Sequence, residues 1–128
     1  MKPNLSVIIP TYNEAENIKM LIPRIHSVLN SNSYEIIVVD DSSPDGTAEV
    51  AKKLSESYPV RVFVRNQKLG LASAIVHGFQ KASGNILGVI DADLQHPPEN
   101  IKDFIEKIEE GYDIVIGSRY IKGGRIED

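Results

Sequence analysis

Five short runs of apolar, largely β-branched residues punctuate this chain, and almost nothing polar interrupts them. They are Leu5–Ile9, Glu35–Asp40, Val60–Arg65, Ile86–Ile90 and Ile114–Ile116. A strand with one wet face alternates apolar and polar residues. Near-continuous runs of this length belong to strands covered on both faces, as in parallel sheets. The third run is basic at two positions and lies nearer an edge. Between the runs the apolar residues change to helical spacing. Ile18, Leu21, Ile22, Ile25 and Leu29 form one stripe; Ala48, Val50, Ala51 and Leu54 a second; Leu71, Ile75, Val76 and Phe79 a third; Ile101, Phe104, Ile105 and Ile108 a fourth. Strand and helix thus alternate, which predicts an α/β fold with a doubly wound, mostly parallel sheet and right-handed crossovers. Local signals refine it. Pro23 should kink or delay the first helix. Asp45 or Thr47 is placed to cap the second. Gly84 is placed to stop the third, and Pro98 to start the fourth. The closing segment from Ile121 to Asp128 reads as a polar, glycine-rich loop.

The chain of 128 residues is one domain, residues 1–128, long enough to bury a core without staples. It has no cysteine, which removes disulfides, zinc thiolates and a cysteine nucleophile from consideration. A net charge of −4 argues against a nucleic-acid surface, which needs a basic face to displace counterions. No signal peptide is visible at Met1-Lys2-Pro3-Asn4, and no apolar run reaches membrane-spanning length.

Ligands of such sheets bind beyond the carboxyl ends of the strands. Four clusters fall there: Pro10-Thr11-Tyr12-Asn13-Glu14, Asp40-Asp41-Ser42-Ser43-Pro44-Asp45-Gly46, Asp91-Ala92-Asp93-Leu94-Gln95 and Gly117-Ser118-Arg119-Tyr120. Asp91 and Asp93 leave a buried strand one residue apart and repel each other without a counter-ion. Together with the Gln95 carbonyl they make an all-oxygen set suited to Mg²⁺ or Mn²⁺ and poorly suited to zinc or copper. Such a cation can hold the phosphates of a nucleotide and stabilise them as they leave. Each remaining residue also has a plainer role. Asp40 and Asp41 can brace the Ser-Pro-Asp-Gly turn. Glu14 can favour a helix start, and Tyr12 can pack at a strand exit. His26 and His77 read as core or surface histidines, while His96, next to the acids, can meet a phosphate. Arg65, Lys68 and Lys81 read as solvated charges.

In three stretches the sequence resembles the family 2 glycosyltransferases, whose nucleotide-sugar-binding fold is termed GT-A. They are Val7-Ile8-Ile9-Pro10-Thr11-Tyr12-Asn13-Glu14, Val38-Val39-Asp40-Asp41-Ser42-Ser43-Pro44-Asp45-Gly46-Thr47 and Asp91-Ala92-Asp93. Within the family it is most similar to dolichol- or polyprenol-phosphate mannose synthases, through Ser43-Pro44-Asp45-Gly46-Thr47, Asp93-Leu94-Gln95-His96-Pro97-Pro98 and Gly117-Ser118-Arg119-Tyr120. The resemblance implies that Pro10, Tyr12 and Glu14 frame the donor base and ribose. It implies that Val39 and Asp41 contact the base, with Asp41 accepting its N–H groups. Asp91, Ala92 and Asp93 then serve the donor phosphates and the metal, Gln95 adds a metal ligand, and Arg119 approaches the diphosphate. Asp93 and Arg119 are the residues expected to serve catalysis.

The implied reaction moves a sugar, mannose from GDP-mannose in the first instance, onto a polyprenyl or dolichyl phosphate with inversion. The resemblance implies a cytoplasmic protein able to associate peripherally with the cytoplasmic face of a membrane. Family members continue past the point where this sequence stops. The expectation is therefore a domain incomplete at its C-terminus, which binds nucleotide and metal and transfers sugar poorly or not at all. A non-catalytic nucleotide-sugar-binding module and a transferase using another donor, such as UDP-glucose, are the alternatives. Three other classes fit less well. A sugar nucleotidyltransferase wants a glycine-rich loop after strand one, a dehalogenase-like phosphohydrolase wants its acid pair on the first core strand, and a receiver domain wants an aspartate where Arg65-Asn66-Gln67 stands.

Overall fold

The computed structural model describes residues 3–29, 33–66, 70–90, 92, 112–116 and 119–122. The elements in chain order are β1 (Leu5–Thr11), α1 (Ala15–Leu29), β2 (Tyr34–Asp40), α2 (Thr47–Leu54), β3 (Val60–Val64), α3 (Leu71–Lys81), β4 (Ile86–Val89), β5 (Tyr112–Ile116) and β6 (Arg119–Lys122). They form a sheet in the order β3-β2-β1-β4-β5-β6. All neighbouring pairs are parallel except β5 and β6, which are antiparallel. The predicted doubly wound, mostly parallel sheet is present, with β1 at its centre. The sixth strand is new: Arg119 to Lys122 pair with β5, where the sequence suggested a strand exit running into a loop. Its polar composition and short length hid it. The predicted fourth helix lies outside the described residues.

Side chains alternate across the pleat and feed two cores. Leu5, Val7 and Ile9 of β1 and Ile36 and Val38 of β2 pack with the α1 stripe Ile18, Leu21, Ile22, Ile25 and Leu29 and with Ala51 of α2. Ile8, Ile37 and Val39 face the other way and pack with Ala74 of α3 and Val89 of β4. Helix α1 runs unbroken through Pro23, so the expected kink does not divide it.

Helix α3 departs most from its expected face. Leu71 is 57% exposed and Val76 54%, while Ala74 and Gly78 are the buried pair. Ile75 and Phe79 are partly buried against the second core. The helix sits so close to β1 that a Cβ on Gly78 would stand 2.4 Å from Ile8 Cγ2. Gly84 also serves close approach, not helix termination. The helix ends at Lys81 with Ala82 extended, and a Cβ on Gly84 would come within 2.8 Å of the Ser6 main-chain nitrogen.

Candidate functional site

The strand register decides which residues meet. Thr11, Asp40 and Val64 lie in one row across β1, β2 and β3. Ile8, Val89, Ile116 and Arg119 lie in a second row across β1, β4, β5 and β6. The carboxyl ends of β1 to β4 therefore open onto one side. The main-chain N–H of Asp41 donates to Thr11 O at 3.2 Å, that of Arg65 to Asp40 O at 2.8 Å and that of Ile90 to Ile8 O at 3.0 Å.

Two aspartates, one ending β2 and one in the loop after it, are scaffold. Asp40 accepts the Thr11 hydroxyl at 2.7 Å on Oδ1, the Ser43 hydroxyl at 2.6 Å on the same oxygen, and the Ser43 main-chain N–H at 2.9 Å on Oδ2. The turn-bracing role is thus confirmed for Asp40. Asp45 accepts the Thr47 N–H at 3.0 Å and the Thr47 hydroxyl on Oδ1, and reaches across with Oδ2 to the Ala15 N–H at 3.2 Å. Those bonds, led by the Thr47 hydroxyl, hold its carboxyl below the ordinary aspartate range. The residue at the N-cap position of α2 is Gly46, at φ 85°, rather than Asp45 or Thr47. Asp45 caps from outside and serves the start of α1 as well. Thr47 Oγ1 accepts the Glu14 N–H at 3.0 Å, and Ser43 Oγ accepts that of Asn13 at 2.8 Å. The β1 exit loop is therefore pinned, backbone group by backbone group, to the β2 exit loop. Asn13 and Ser42, one in each loop, adopt left-handed φ of 57° and 54°. For serine that conformation is uncommon and is held by its surroundings; the Ser42 hydroxyl donates to Arg65 O.

Asp41 faces a different partner. Arg65 Nε donates to Asp41 Oδ1 at 2.6 Å and Nη2 to Oδ2 at 2.8 Å, a two-pronged ion pair. Nη1 also reaches Ser73 Oγ at 2.6 Å, and Nη2 reaches Gly70 O at 3.1 Å. Asp41 is 5% exposed and Arg65 8%. This corrects the reading of Arg65 as a solvated charge. The one mark of such a role in the sequence is its place directly after a parallel strand, at the edge where ligands collect.

The other expected site residues are distributed as follows. Tyr12 stands at the β1 exit, 38% exposed. Glu14 opens α1, its Oε2 accepting Asn17 Nδ2 at 2.7 Å. Pro10 is a buried β1 residue paired with Val39. Val39 is fully buried in the second core and exposes no surface. Ala92 is buried against the first core. Arg119 heads β6, level with Ile116 and Val89 in the sheet. Asp91, Asp93, Gln95 and His96 lie outside the described residues. Among the described residues no group of three or more acidic or histidine side chains could hold a metal. Asp40, Asp41 and Asp45 are each engaged by hydrogen bonds or an ion pair within the protein.

Residues 6–127 match the family model described as "Glycosyl transferase family 2". The chain is 56% identical over 124 residues to a dolichol-phosphate mannosyltransferase of Pyrococcus furiosus, covering 97% of this chain and 35% of that protein. It is 40% identical over 127 residues to the polyprenol monophosphomannose synthase of Mycolicibacterium smegmatis, covering 95% of this chain and 47% of that one. This chain thus spans less than half the length of either relative. Its structure resembles the mannosyltransferase PcManGT of Pyrobaculum calidifontis, solved in complex with GDP-Man and Mn²⁺. The TM-score is 0.67 at 30% identity, over 78% of this chain and 30% of that one.

Proposed function

The chain belongs to glycosyl transferase family 2, and on that premise we propose that it is the donor-binding part of a metal-dependent, inverting mannosyltransferase. The donor is GDP-mannose and the acceptor a polyprenyl or dolichyl phosphate. What most supports this reading is the meeting of five strand ends at one edge. The Tyr12 loop, the Asp41–Arg65 pair, Ala92 with its flanking acids in sequence, and the Arg119 backbone position all converge there. The identity to lipid-phosphate mannosyltransferases supports the choice of acceptor.

In this reading Tyr12 and Glu14 border the nucleoside, and Asp41 accepts N–H groups of the base. Asp91, Asp93 and Gln95 would hold Mg²⁺ or Mn²⁺, which when bound would supply positive charge to the diphosphate. Arg119 adds a fixed cationic group toward the same leaving diphosphate, so that charge developing on departure meets a preorganised partner. Positive charge grows on the sugar ring as the bond to the diphosphate lengthens, as in glycoside cleavage generally. The acceptor phosphate is already anionic near neutral pH, so its attack needs no strong general base. A single displacement inverts the anomeric centre, and no glycosyl-enzyme nucleophile is assigned.

Calorimetric titration of GDP, UDP and their sugars, with and without Mn²⁺, tests the reading. Binding of GDP that needs Mn²⁺ and exceeds that of UDP is expected. Equal affinity for UDP, or indifference to the metal, overturns the donor assignment.

A further inference from the structure

We propose that Arg65 is a positioning residue for the donor base: it fixes the plane of the Asp41 carboxylate and ties that carboxylate to the start of α3. The inference rests on the reading of Asp41 as the base contact.

The geometry points this way for three reasons. First, Arg65 meets both Asp41 oxygens through Nε and Nη2, at 2.6 and 2.8 Å. A planar fork on a planar carboxylate removes the freedom to swivel, which a single point charge would leave. Second, the guanidinium is spent on the protein. Its other contacts among the described residues are Ser73 Oγ at 2.6 Å and Gly70 O at 3.1 Å, and the residue is 8% exposed. It acts through Asp41 and has little surface of its own to offer a base. Third, the main chain of Arg65 is locked independently, by its N–H to Asp40 O at 2.8 Å and by the Ser42 hydroxyl on its carbonyl. A substitution at 65 can therefore change the fork and leave the loop path in place.

The consequence is selectivity. A carboxylate offers about four lone-pair positions. The fork takes the two at its open end. A base N–H that meets the same carboxylate does so from a direction set by the plane that Arg65 imposes. Guanine presents adjacent N–H groups at N1 and N2 and gains from a fixed acceptor. Uracil presents one N–H between two carbonyl oxygens, which the same fixed oxygens repel. Loosening Asp41 lowers the guanine gain and relaxes the uracil penalty, so the ratio of GDP to UDP affinity falls.

The test is calorimetry of GDP and UDP with Mn²⁺ on the wild-type protein, Arg65→Lys, Asp41→Asn and the double variant, each checked for folding by thermal melting. Arg65→Lys should lower the GDP-to-UDP affinity ratio by about tenfold, the scale of one charged hydrogen bond. In the Asp41→Asn background the same change should add less than about twofold, since sites acting through one another are not additive. Ser73→Ala, which removes a single anchor of the guanidinium, should move the ratio the same way by a smaller factor. It carries the test if Arg65→Lys does not fold. A folded Arg65→Lys, or failing that Ser73→Ala, with the wild-type ratio overturns the positioning role while Asp41→Asn still loses the GDP preference. An Asp41→Asn protein that keeps the GDP preference overturns the base reading itself.

Discussion

Ser6 Oγ donates to Glu35 Oε2 at 2.6 Å in the buried interior, near the starts of the neighbouring strands β1 and β2. The same oxygen accepts the Ser83 main-chain N–H at 2.7 Å, and Oε1 accepts Arg61 Nη1 at 2.9 Å. Gly84 N–H closes the ring on Ser6 Oγ at 2.8 Å. One carboxylate thereby joins β1, β2, β3 and the turn into β4, at the end of the sheet opposite the site. Burial pushes the Glu35 carboxyl up, but Ser6, the Ser83 N–H and Arg61 together outweigh it and leave the group below the ordinary glutamate range.

That shift has a sign. A carboxyl with a depressed pKa in the folded state adds stability above its unfolded value, about 4.3, and loses it as pH falls through the folded value. Wild-type melting temperature should therefore drop as pH is lowered from 5 toward about 3. Glu35→Gln should be less stable at pH 7 by about 1–3 kcal/mol, because an amide cannot accept all of these donors. Its melting temperature should fall less steeply over the acid limb. Melts followed by circular dichroism check this. Parallel curves for the two proteins would show that Glu35 does not carry the acid response.

Gly78→Ala sets two magnitudes against each other. Alanine gains about 0.8–1.0 kcal/mol in helix propensity. The new methyl would lie 2.4 Å from Ile8 Cγ2 and 3.2 Å from Cδ1, and Ile8 is fully buried. Overpacking of this kind costs about 1–3 kcal/mol. The clash wins, and urea denaturation should show a net loss of about 1 kcal/mol. A stabilised variant would mean that α3 is free to lift from the sheet.

These two positions also show where sequence reasoning stopped. The strands were legible because both faces are covered, and burial on both faces leaves an unbroken apolar run. The residues that collect at the carboxyl edge were legible because topology alone brings strand ends together. The close approach of α3 was not. Helix α3 makes its closest approach through Ala74 and Gly78, with Ile75 and Phe79 only partly buried, while the larger Leu71 and Val76 of the same apparent stripe are exposed. Arg65 has only its place after a strand to mark it, and the partner at Asp41 gives that place its meaning. β6 is four residues long and holds its place by pairing with β5, a tertiary fact with no local signature.

Asp45 supports two helix starts with one carboxylate, through the Thr47 N–H and the Ala15 N–H. Loss of a helix cap costs about 0.5–2 kcal/mol. Asp45→Ala should thus cost about 2 kcal/mol in urea denaturation, the top of the range for a single cap. Asp45→Asn keeps one acceptor oxygen and should recover part of the loss. The Tyr12–Glu14 loop is pinned through Thr47 and Ser43, so the alanine variant should also weaken GDP binding. A variant that is as stable as wild type would show that water replaces both caps without cost.

The acid pair at Asp91 and Asp93 can be separated from the rest of the site by two readouts that move in opposite directions. If these residues hold the cation, chelation should lower GDP affinity of the wild-type protein by at least about tenfold. Asp91→Asn with Asp93→Asn should bind GDP equally weakly with and without Mn²⁺. Two carboxylates one residue apart repel when no cation lies between them. The same double variant, melted in chelator, should therefore be no less stable than wild type, while Mn²⁺ should raise the melting temperature of the wild-type protein alone. Retained Mn²⁺ dependence in the variant would place the metal elsewhere. A variant that loses both stability in chelator and nucleotide binding would make the acids structural, and the loss of GDP affinity a consequence of unfolding.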